Sequence, residues 1–138
     1  MRVKVEIVSR DPFETADRAK LNLGHTFAHA FEKLADFNLR HGDAVAMGLV
    51  CAARLSARRG LSDILLAPRI EQLLRAIGLP TRVPREMSAE AVLDAMATDK
   101  KRVDARLRFV LPRGLGNVLV VDDVTRDEIA PVIEETRG

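Results

Sequence analysis

Polar and ionisable residues recur along one face of the first predicted helix. Asn22, His25 and His29 follow one another at spacings of three and four residues. Arg18 and Glu14 extend the same row backward by four residues each. Because an α-helix turns by about 100° per residue, all five side chains fall within an arc of about 80° on a continuous helix. The spacing predicts one polar wall, suited to binding a metal ion or an anionic substrate.

The two histidines of this wall stand four residues apart. On a helix, His25 and His29 would lie close enough to bind one metal ion, or for one to bind the metal while the other acts on a substrate. The same spacing is also compatible with ordinary hydrogen-bonded surface histidines. His41, the third of only three histidines, favours the metal interpretation, because a helical hairpin would bring it back beside the first pair.

The segment around His41 leaves a structural alternative open. Gly42 gives the backbone room and Asp43 suits the positive end of a helix dipole, so these residues could simply begin a helix. A catalytic zinc site usually has three protein ligands, and two histidines leave a carboxylate to be found. Glu14 and Asp43 are candidates, and the third ligand could also lie outside this chain.

A second basic cluster occurs late in the chain. Lys100 and Lys101, followed by Arg102, are typical of a solvated charged surface. They could instead anchor an anionic substrate, because they follow the apolar part of a predicted helix.

The elements that must position these residues can be predicted from hydrophobic periodicity. Helices are expected at 21–36, 41–59 and 67–77, from Ser88 toward the charged residues at 99–101, and after a capping box of Thr125 and Glu128. Alternating residues at 106–111 and β-rich residues at 115–121 predict a hairpin, with 112–114 as its turn. The expected fold class is therefore mainly α, with a small β-hairpin near the C-terminus.

Apolar stripes indicate which face of each helix packs in the core. In the first helix the expected core residues are Leu23, Phe27, Ala30, Phe31 and Leu34, opposite the polar wall. The second helix is apolar on most faces, which is typical of a central helix. In the third helix the expected core stripe is Ile70, Leu73, Leu74 and Ile77.

Composition narrows the functional classes. A chain of 138 residues with 47% hydrophobic and 30% charged content is typical of one soluble domain. A net charge of +2 from mixed charges, and the lack of Trp and Tyr, argue against a nucleic-acid partner. The longest apolar run, at 44–53, is too short to cross a bilayer. The lone Cys51 fits a reducing cytoplasm, where we expect the protein to lie.

The ordered motifs resemble a known family. The strings RAKLNLGHTFAHAFE at 18–32 and HGDAVAMG at 41–48 look like the signature of 3-dehydroquinate synthase. Lys4, Asp11 and Glu14 upstream, and DKK at 99–101 followed by RFVL at 108–111, also resemble family positions. The resemblance runs in order along nearly the whole chain. It implies the multi-helix C-terminal domain of that enzyme as a single domain at 1–138.

The resemblance also implies a reaction. The family enzyme converts 3-deoxy-D-arabino-heptulosonate 7-phosphate to 3-dehydroquinate and phosphate, a step of the shikimate pathway. It uses NAD catalytically and one zinc or cobalt ion. By similarity, His25 and His41 would bind the metal, and His29 would lie near the phosphate or the transferred proton.

The remaining roles follow from the same resemblance. Lys4 and Glu14 would join His29 in the catalytic set, with Lys4 also contacting the substrate and Glu14 in a supporting network. The substrate is a phosphorylated sugar acid, and the residues expected to bind it are Arg18, Asn22, Lys100 and Lys101.

The chain departs from the family pattern in three places. Ala28 stands where the family usually has Gly, and Asp43 where it usually has Glu. The family protein is more than twice this length, its N-terminal half carries the NAD site, and its third metal ligand is a glutamate in a helix that precedes the part matched by this chain. We therefore expect a fragment that is inactive alone and that needs this N-terminal half, and a homodimer for the full enzyme.

Two other functions fit the same sequence. A sister sugar-phosphate cyclase would share the metal helix but make a different carbocycle, although His29 and Lys4 favour dehydroquinate synthase. A non-catalytic metal-binding or helical module is the alternative from another class.

Overall fold

The computed structural model describes residues 24–36, 38–103, 109–114, 117–121 and 124–138. In this part of the chain five helices and one two-stranded sheet follow one another. They are α1 (His25–Leu34), α2 (His41–Arg58), α3 (Leu66–Ala76), α4 (Ala89–Val103), β1 (Phe109–Gly114), β2 (Asn117–Val121) and α5 (Arg126–Thr136). The predicted fold class, mainly α with a hairpin near the C-terminus, is confirmed.

The closest helix crossing joins α1 to α2 through two glycines. Gly24 precedes α1 in the left-handed region, at φ 80°, and a methyl group there would lie 2.8 Å from the backbone nitrogen of Leu49. A methyl group on Gly48 of α2 would overlap the carbonyl oxygen of Gly24. Glycine at both positions lets the two backbones touch, because neither residue carries a Cβ.

The aromatic part of the core lies on the inner face of α1. Phe27 is buried, with its ring centroid 6.4 Å from that of Phe31 and 5.4 Å from that of Phe109 on β1. These separations are typical of favourable aromatic pairs. The prediction that Phe27, Ala30 and Phe31 face the core is confirmed. Leu34 is 37% exposed at the end of the helix, so its predicted burial is wrong.

Leu34 instead borders an apolar groove at the C-terminal end of α1. The groove has a volume of about 400 Å³ and is also bordered by Leu39, Met87 and Ala91. Leu34 therefore lies at the edge of the core and stays partly in solvent, although it is in phase with Phe27.

The central position predicted for the second helix is confirmed. α2 packs against α1, α3, α5 and β1, and ten of its residues are buried. One of these is Cys51, whose thiol pKa burial raises to about 12. The helix ends at Arg58, and Gly60 then adopts a left-handed conformation, at φ 72°. Gly60 therefore ends the helix as predicted.

The third helix has the predicted extent but another orientation. Leu74 is buried and Ile70 half-buried, whereas Leu73 and Ile77 are each 65% exposed. The predicted core stripe is therefore wrong for these last two residues. The face toward α2 is rotated to include Glu71, whose carboxylate lies 3.3 Å from Arg54 of α2.

Glu71 also pairs with Arg75, at 3.2 Å, and with Arg82, at 3.6 Å. Ion pairs with three guanidinium groups favour a position of the Glu71 carboxylate at the helix interface. The ion pairs thus compete with the apolar stripe for the orientation of α3.

Side-chain caps begin the last two helices as predicted. The hydroxyl of Ser88 accepts a hydrogen bond from the Ala91 backbone, at 3.1 Å. Thr125 and Glu128 form a capping box at the start of α5. α4 continues to Val103, so Lys100 and Lys101 lie within its last turn.

The predicted hairpin is confirmed with a different turn. β1 and β2 pair antiparallel from Phe109 opposite Val121 to Gly114 opposite Asn117, with an irregularity between Pro112 and Gly114. The residues at 112–114 therefore belong to the strand, and their prediction as the turn is wrong. The carbonyl oxygen of Pro112 accepts a hydrogen bond from the buried Ser56 hydroxyl, which holds this end of the strand against α2.

Within the described ranges, no helix is long and apolar enough to cross a membrane.

Candidate functional site

The first helix begins at the first histidine of the predicted metal pair. Gly24 places His25 at the start of α1, where its side chain is half-buried, and His29 follows one turn later in solvent. Both lie on the face away from Phe27 and Phe31, as the predicted polar wall requires. The ring centroids of His25 and His29 are 5.9 Å apart.

The turn between α1 and α2 brings the third histidine back to this face. His41 is the first residue of α2, and its ring centroid lies 5.6 Å from that of His25 in an edge-on arrangement. The predicted return of His41 toward the first pair is therefore confirmed for His25. His25 lies within 6 Å of both other rings.

These separations can be compared with those of two imidazoles on one metal ion. A zinc–nitrogen bond of about 2.1 Å puts the metal about 3.2 Å from each ring centroid, and a tetrahedral angle then separates the centroids by about 5.2 Å. The pairs His25–His41 and His25–His29 both come close to this value. Imidazole nitrogens suit zinc and similar transition metals, whereas magnesium and calcium prefer oxygen ligands.

The described residues could supply only part of a metal site. Among them, no group of three or more His, Cys, Asp or Glu side chains is arranged to hold a metal ion. Two histidines fit two of the three protein ligands of a catalytic zinc site. Asp43, one candidate for the third ligand, is half-buried in the first turn of α2, and Glu14, the other, lies outside the described residues.

A carboxylate that we did not predict also contacts the cluster. Glu32 lies on α1 seven residues after His25 and three after His29, so it shares their face of the helix. Both of its carboxylate oxygens lie 3.3 Å from Nδ1 of His41. Its spacing from the two histidines could have identified Glu32, because seven residues are two helical turns.

Four predicted site residues, Lys4, Glu14, Arg18 and Asn22, lie outside the described residues. The predicted continuation of the polar wall through them therefore remains a prediction.

The helix that carries the two lysines packs against α1. α4 contacts α1, and Ala91 in its first turn borders the same groove as Leu34 and Ala35 at the end of α1. Lys100 and Lys101 lie in the last turn of α4, and their predicted contact with a substrate remains a prediction.

The histidine cluster makes this helical fold a candidate metal-binding domain, and comparison with known proteins identifies the family. Residues 1–102 match the family model described as "3-dehydroquinate synthase C-terminal". The chain belongs to this family.

Curated relatives carry the same name. The chain is 48% identical over 141 residues to a 3-dehydroquinate synthase of Xanthomonas axonopodis pv. citri, with 98% of this chain and 37% of that protein covered. It is 45% identical over 138 residues to that of Xanthomonas campestris pv. campestris, covering 96% of this chain and 37% of the relative. The chain thus spans little more than a third of the length of these relatives.

Solved structures of related cyclases share the fold. ValA, a 2-epi-5-epi-valiolone synthase of Streptomyces hygroscopicus subsp. jinggangensis with NAD+ and Zn2+ bound, matches with a TM-score of 0.78 at 27% identity. The match covers 96% of this chain and 36% of that one. A 2-deoxy-scyllo-inosose synthase in complex with carbaglucose-6-phosphate, NAD+ and Co2+ matches with a TM-score of 0.81 at 25% identity, covering 96% and 38%.

Proposed function

We propose that this chain is the metal- and substrate-binding domain of a 3-dehydroquinate synthase. The reaction would convert 3-deoxy-D-arabino-heptulosonate 7-phosphate to 3-dehydroquinate and phosphate, as a phosphate-eliminating carbon–oxygen lyase of the shikimate pathway. The observation that carries the proposal is the meeting of His25 with His41 from the next helix, at a ring separation of 5.6 Å. Relatives with 45% and 48% identity support the choice of reaction.

In this proposal His25 and His41 are two of the metal ligands. The ring separation fits two ligands of one tetrahedral ion, and the donor nitrogens suit the zinc or cobalt bound by the related cyclases. When bound, the ion would supply Lewis-acid polarisation of the substrate oxygens and a lowered hydroxyl pKa. The third ligand is expected from the part of the protein that precedes the domain.

His29 has a different proposed role. It is exposed, one helical turn from His25, with the ring centroids 5.9 Å apart. A substrate held at the histidine cluster would therefore come within reach of an imidazole that need not bind the metal. His29 can then hold or move a proton at the substrate, or contact its phosphate.

The basic residues would bind the anionic parts of the substrate. We assign Arg18, Asn22, Lys100 and Lys101 to its phosphate, carboxylate and hydroxyls, with Lys4 and Glu14 joining His29 in catalysis. The packing of α4, which carries Lys100 and Lys101 in its last turn, against α1 supports the assignment of these two lysines. Cationic groups around the site would attract a substrate with two anionic groups.

The rest of the enzyme would supply the nucleotide. We propose that NAD is bound mainly by an N-terminal domain, that residues 1–138 act as one C-terminal domain beside it, and that the full enzyme is a cytoplasmic homodimer. The cofactor would accept a hydride from the substrate and return it, which is chemistry that the protein side chains cannot perform.

A sister cyclase is the second candidate, because the solved neighbours are synthases named for other products, 2-epi-5-epi-valiolone and 2-deoxy-scyllo-inosose. The test is phosphate release by this chain mixed with the nucleotide-binding part of a relative, in the presence of NAD and zinc. The expected substrate is 3-deoxy-D-arabino-heptulosonate 7-phosphate. Release from sedoheptulose 7-phosphate instead would assign the chain to the sister class, and release from neither would contradict both assignments.

A further inference from the structure

We infer that Glu32 positions His41 for metal binding by accepting a hydrogen bond from its Nδ1–H group. The inference deepens the proposed function and rests on it, because it concerns how one proposed ligand is held. The direct observation is the pair of 3.3 Å distances from Nδ1 of His41 to the two carboxylate oxygens of Glu32.

The two partners differ in how firmly they are held. The His41 side chain is 60% exposed at the first position of α2, whereas the Glu32 side chain is only 15% exposed on α1. An exposed imidazole can rotate about its side-chain bonds, so a contact with a more buried group from another helix restricts it. Glu32 therefore acts as the fixed partner and His41 as the oriented one.

The chemistry of the contact selects one tautomer. An ionised carboxylate only accepts hydrogen bonds, so the proton of a neutral His41 ring must be on Nδ1. The lone pair is then on Nε2, on the opposite side of the ring from Glu32 and available to a metal ion. A neutral imidazole in water otherwise favours the Nε2–H form, so the contact works against the ordinary preference.

The position of Glu32 explains why the orientation matters for His25. Glu32, His25 and His29 lie on one face of α1, and His41 packs over this face from α2. When Nδ1 points to Glu32, Nε2 of His41 is directed away from Glu32, on a ring whose centroid lies 5.6 Å from that of His25. Carboxylate partners of metal-binding histidines commonly hold the ring in this way and raise its basicity.

The first test needs no metal. Nitrogen NMR of the histidine rings at about pH 8 should show His41 in the Nδ1–H form in the unmodified chain. Glu32→Ala should return His41 to the Nε2–H form. Glu32→Gln should largely retain the Nδ1–H form, because its amide oxygen can still accept the hydrogen bond. An Nε2–H form in the unmodified chain would overturn the inference.

The second test is calorimetric zinc titration of the same variants. Zinc affinity should fall roughly 10- to 100-fold in Glu32→Ala and by much less in Glu32→Gln. Glu90→Ala, which removes an exposed carboxylate from α4, should leave affinity unchanged. Equal losses in Glu32→Gln and Glu32→Ala would mean that Glu32 acts through its charge or as a ligand, which would overturn the positioning role.

A further variant separates this inference from the proposed function. If His25→Ala abolishes zinc binding while Glu32→Ala leaves both affinity and tautomer unchanged, the metal site stands and the role of Glu32 is wrong. If His25→Ala leaves zinc binding unchanged, the proposed metal site itself is wrong.

Discussion

His25 occupies the centre of the histidine cluster, because its ring lies beside both His29 and His41. The ring separations of His25–His29 and of His25–His41 both fit two ligands of one metal ion. Ring geometry therefore does not choose between the two pairs. Resemblance to the cyclase family selects His25 with His41. The two choices of ligand pair predict loss of zinc binding in different alanine variants.

Zinc titration of three alanine variants distinguishes the assignments. We expect His25→Ala and His41→Ala each to abolish the weak zinc binding of the chain, because only two of three expected ligands are present. His29→Ala should retain it. Equal loss in all three variants, or loss in His29→Ala with His41→Ala unaffected, would contradict the assigned roles.

At the residue scale, the sequence predicted the cluster but not its support. Helical spacing joined His25 to His29, and the short connection to the next helix brought in His41. Glu32 was missed because its partner, His41, is on another helix, and pairing between helices depends on the turn that joins them. Helical periodicity within α1 identifies the face that Glu32 shares with His25 and His29. It does not predict the contact of Glu32 with His41 on α2.

At the scale of elements, the crossing of α1 and α2 fixes the distance between the histidines. Gly24 lies directly before His25, and its backbone touches Gly48, about two turns along α2 from His41. Any side chain at this crossing would push the start of α1 away from α2. The separation of His25 and His41 thus depends on two residues that take no part in chemistry.

Substitution of Gly48 tests this dependence. Gly48→Ala should destabilise the fold by about 1–3 kcal/mol, because the new methyl group overlaps a backbone oxygen, and should weaken zinc binding. Gly42→Ala is the matched control on the same helix, since a methyl group there meets nothing within 4 Å. Chemical denaturation of both variants gives the comparison, and equal stability would contradict the close crossing.

The orientation of α1 also depends on its aromatic face. Phe27→Ala should cost about 3–5 kcal/mol, because Phe27 is buried against Phe31 and Phe109. Leu73→Ala on α3 should cost much less, since that side chain is 65% exposed. Denaturation midpoints would measure both, and a loss below about 1 kcal/mol for Phe27→Ala would contradict the burial of this face.

Elements were predicted best where one local signal controls them. Helix starts at Ser88 and Thr125, and the helix end at Gly60, follow from capping and glycine chemistry. The orientation of α3 was wrong because Glu71 pairs with Arg54 of α2, a contact far apart in sequence. The hairpin turn was wrong for a similar reason, since Pro112 bonds to Ser56 of α2 and continues the strand.

At the scale of the whole molecule, the chain spans 37% of the length of the Xanthomonas relatives. In the proposed site the described residues would provide two metal ligands, His25 and His41, whereas the proposed reaction also requires a third ligand and NAD. Metal and hydride acceptor must be held together at the substrate, and misplacement of either costs orders of magnitude in rate. The proposed function therefore requires the domain that binds the nucleotide.

The most direct measurement of this account is phosphate release from 3-deoxy-D-arabino-heptulosonate 7-phosphate, with NAD and zinc or cobalt present. We expect no turnover by this chain alone and recovery of activity when the nucleotide-binding part of a relative is added. The same mixture made with His25→Ala should stay inactive. Multiple turnover by the isolated chain, or full activity of the His25→Ala mixture, would contradict the account.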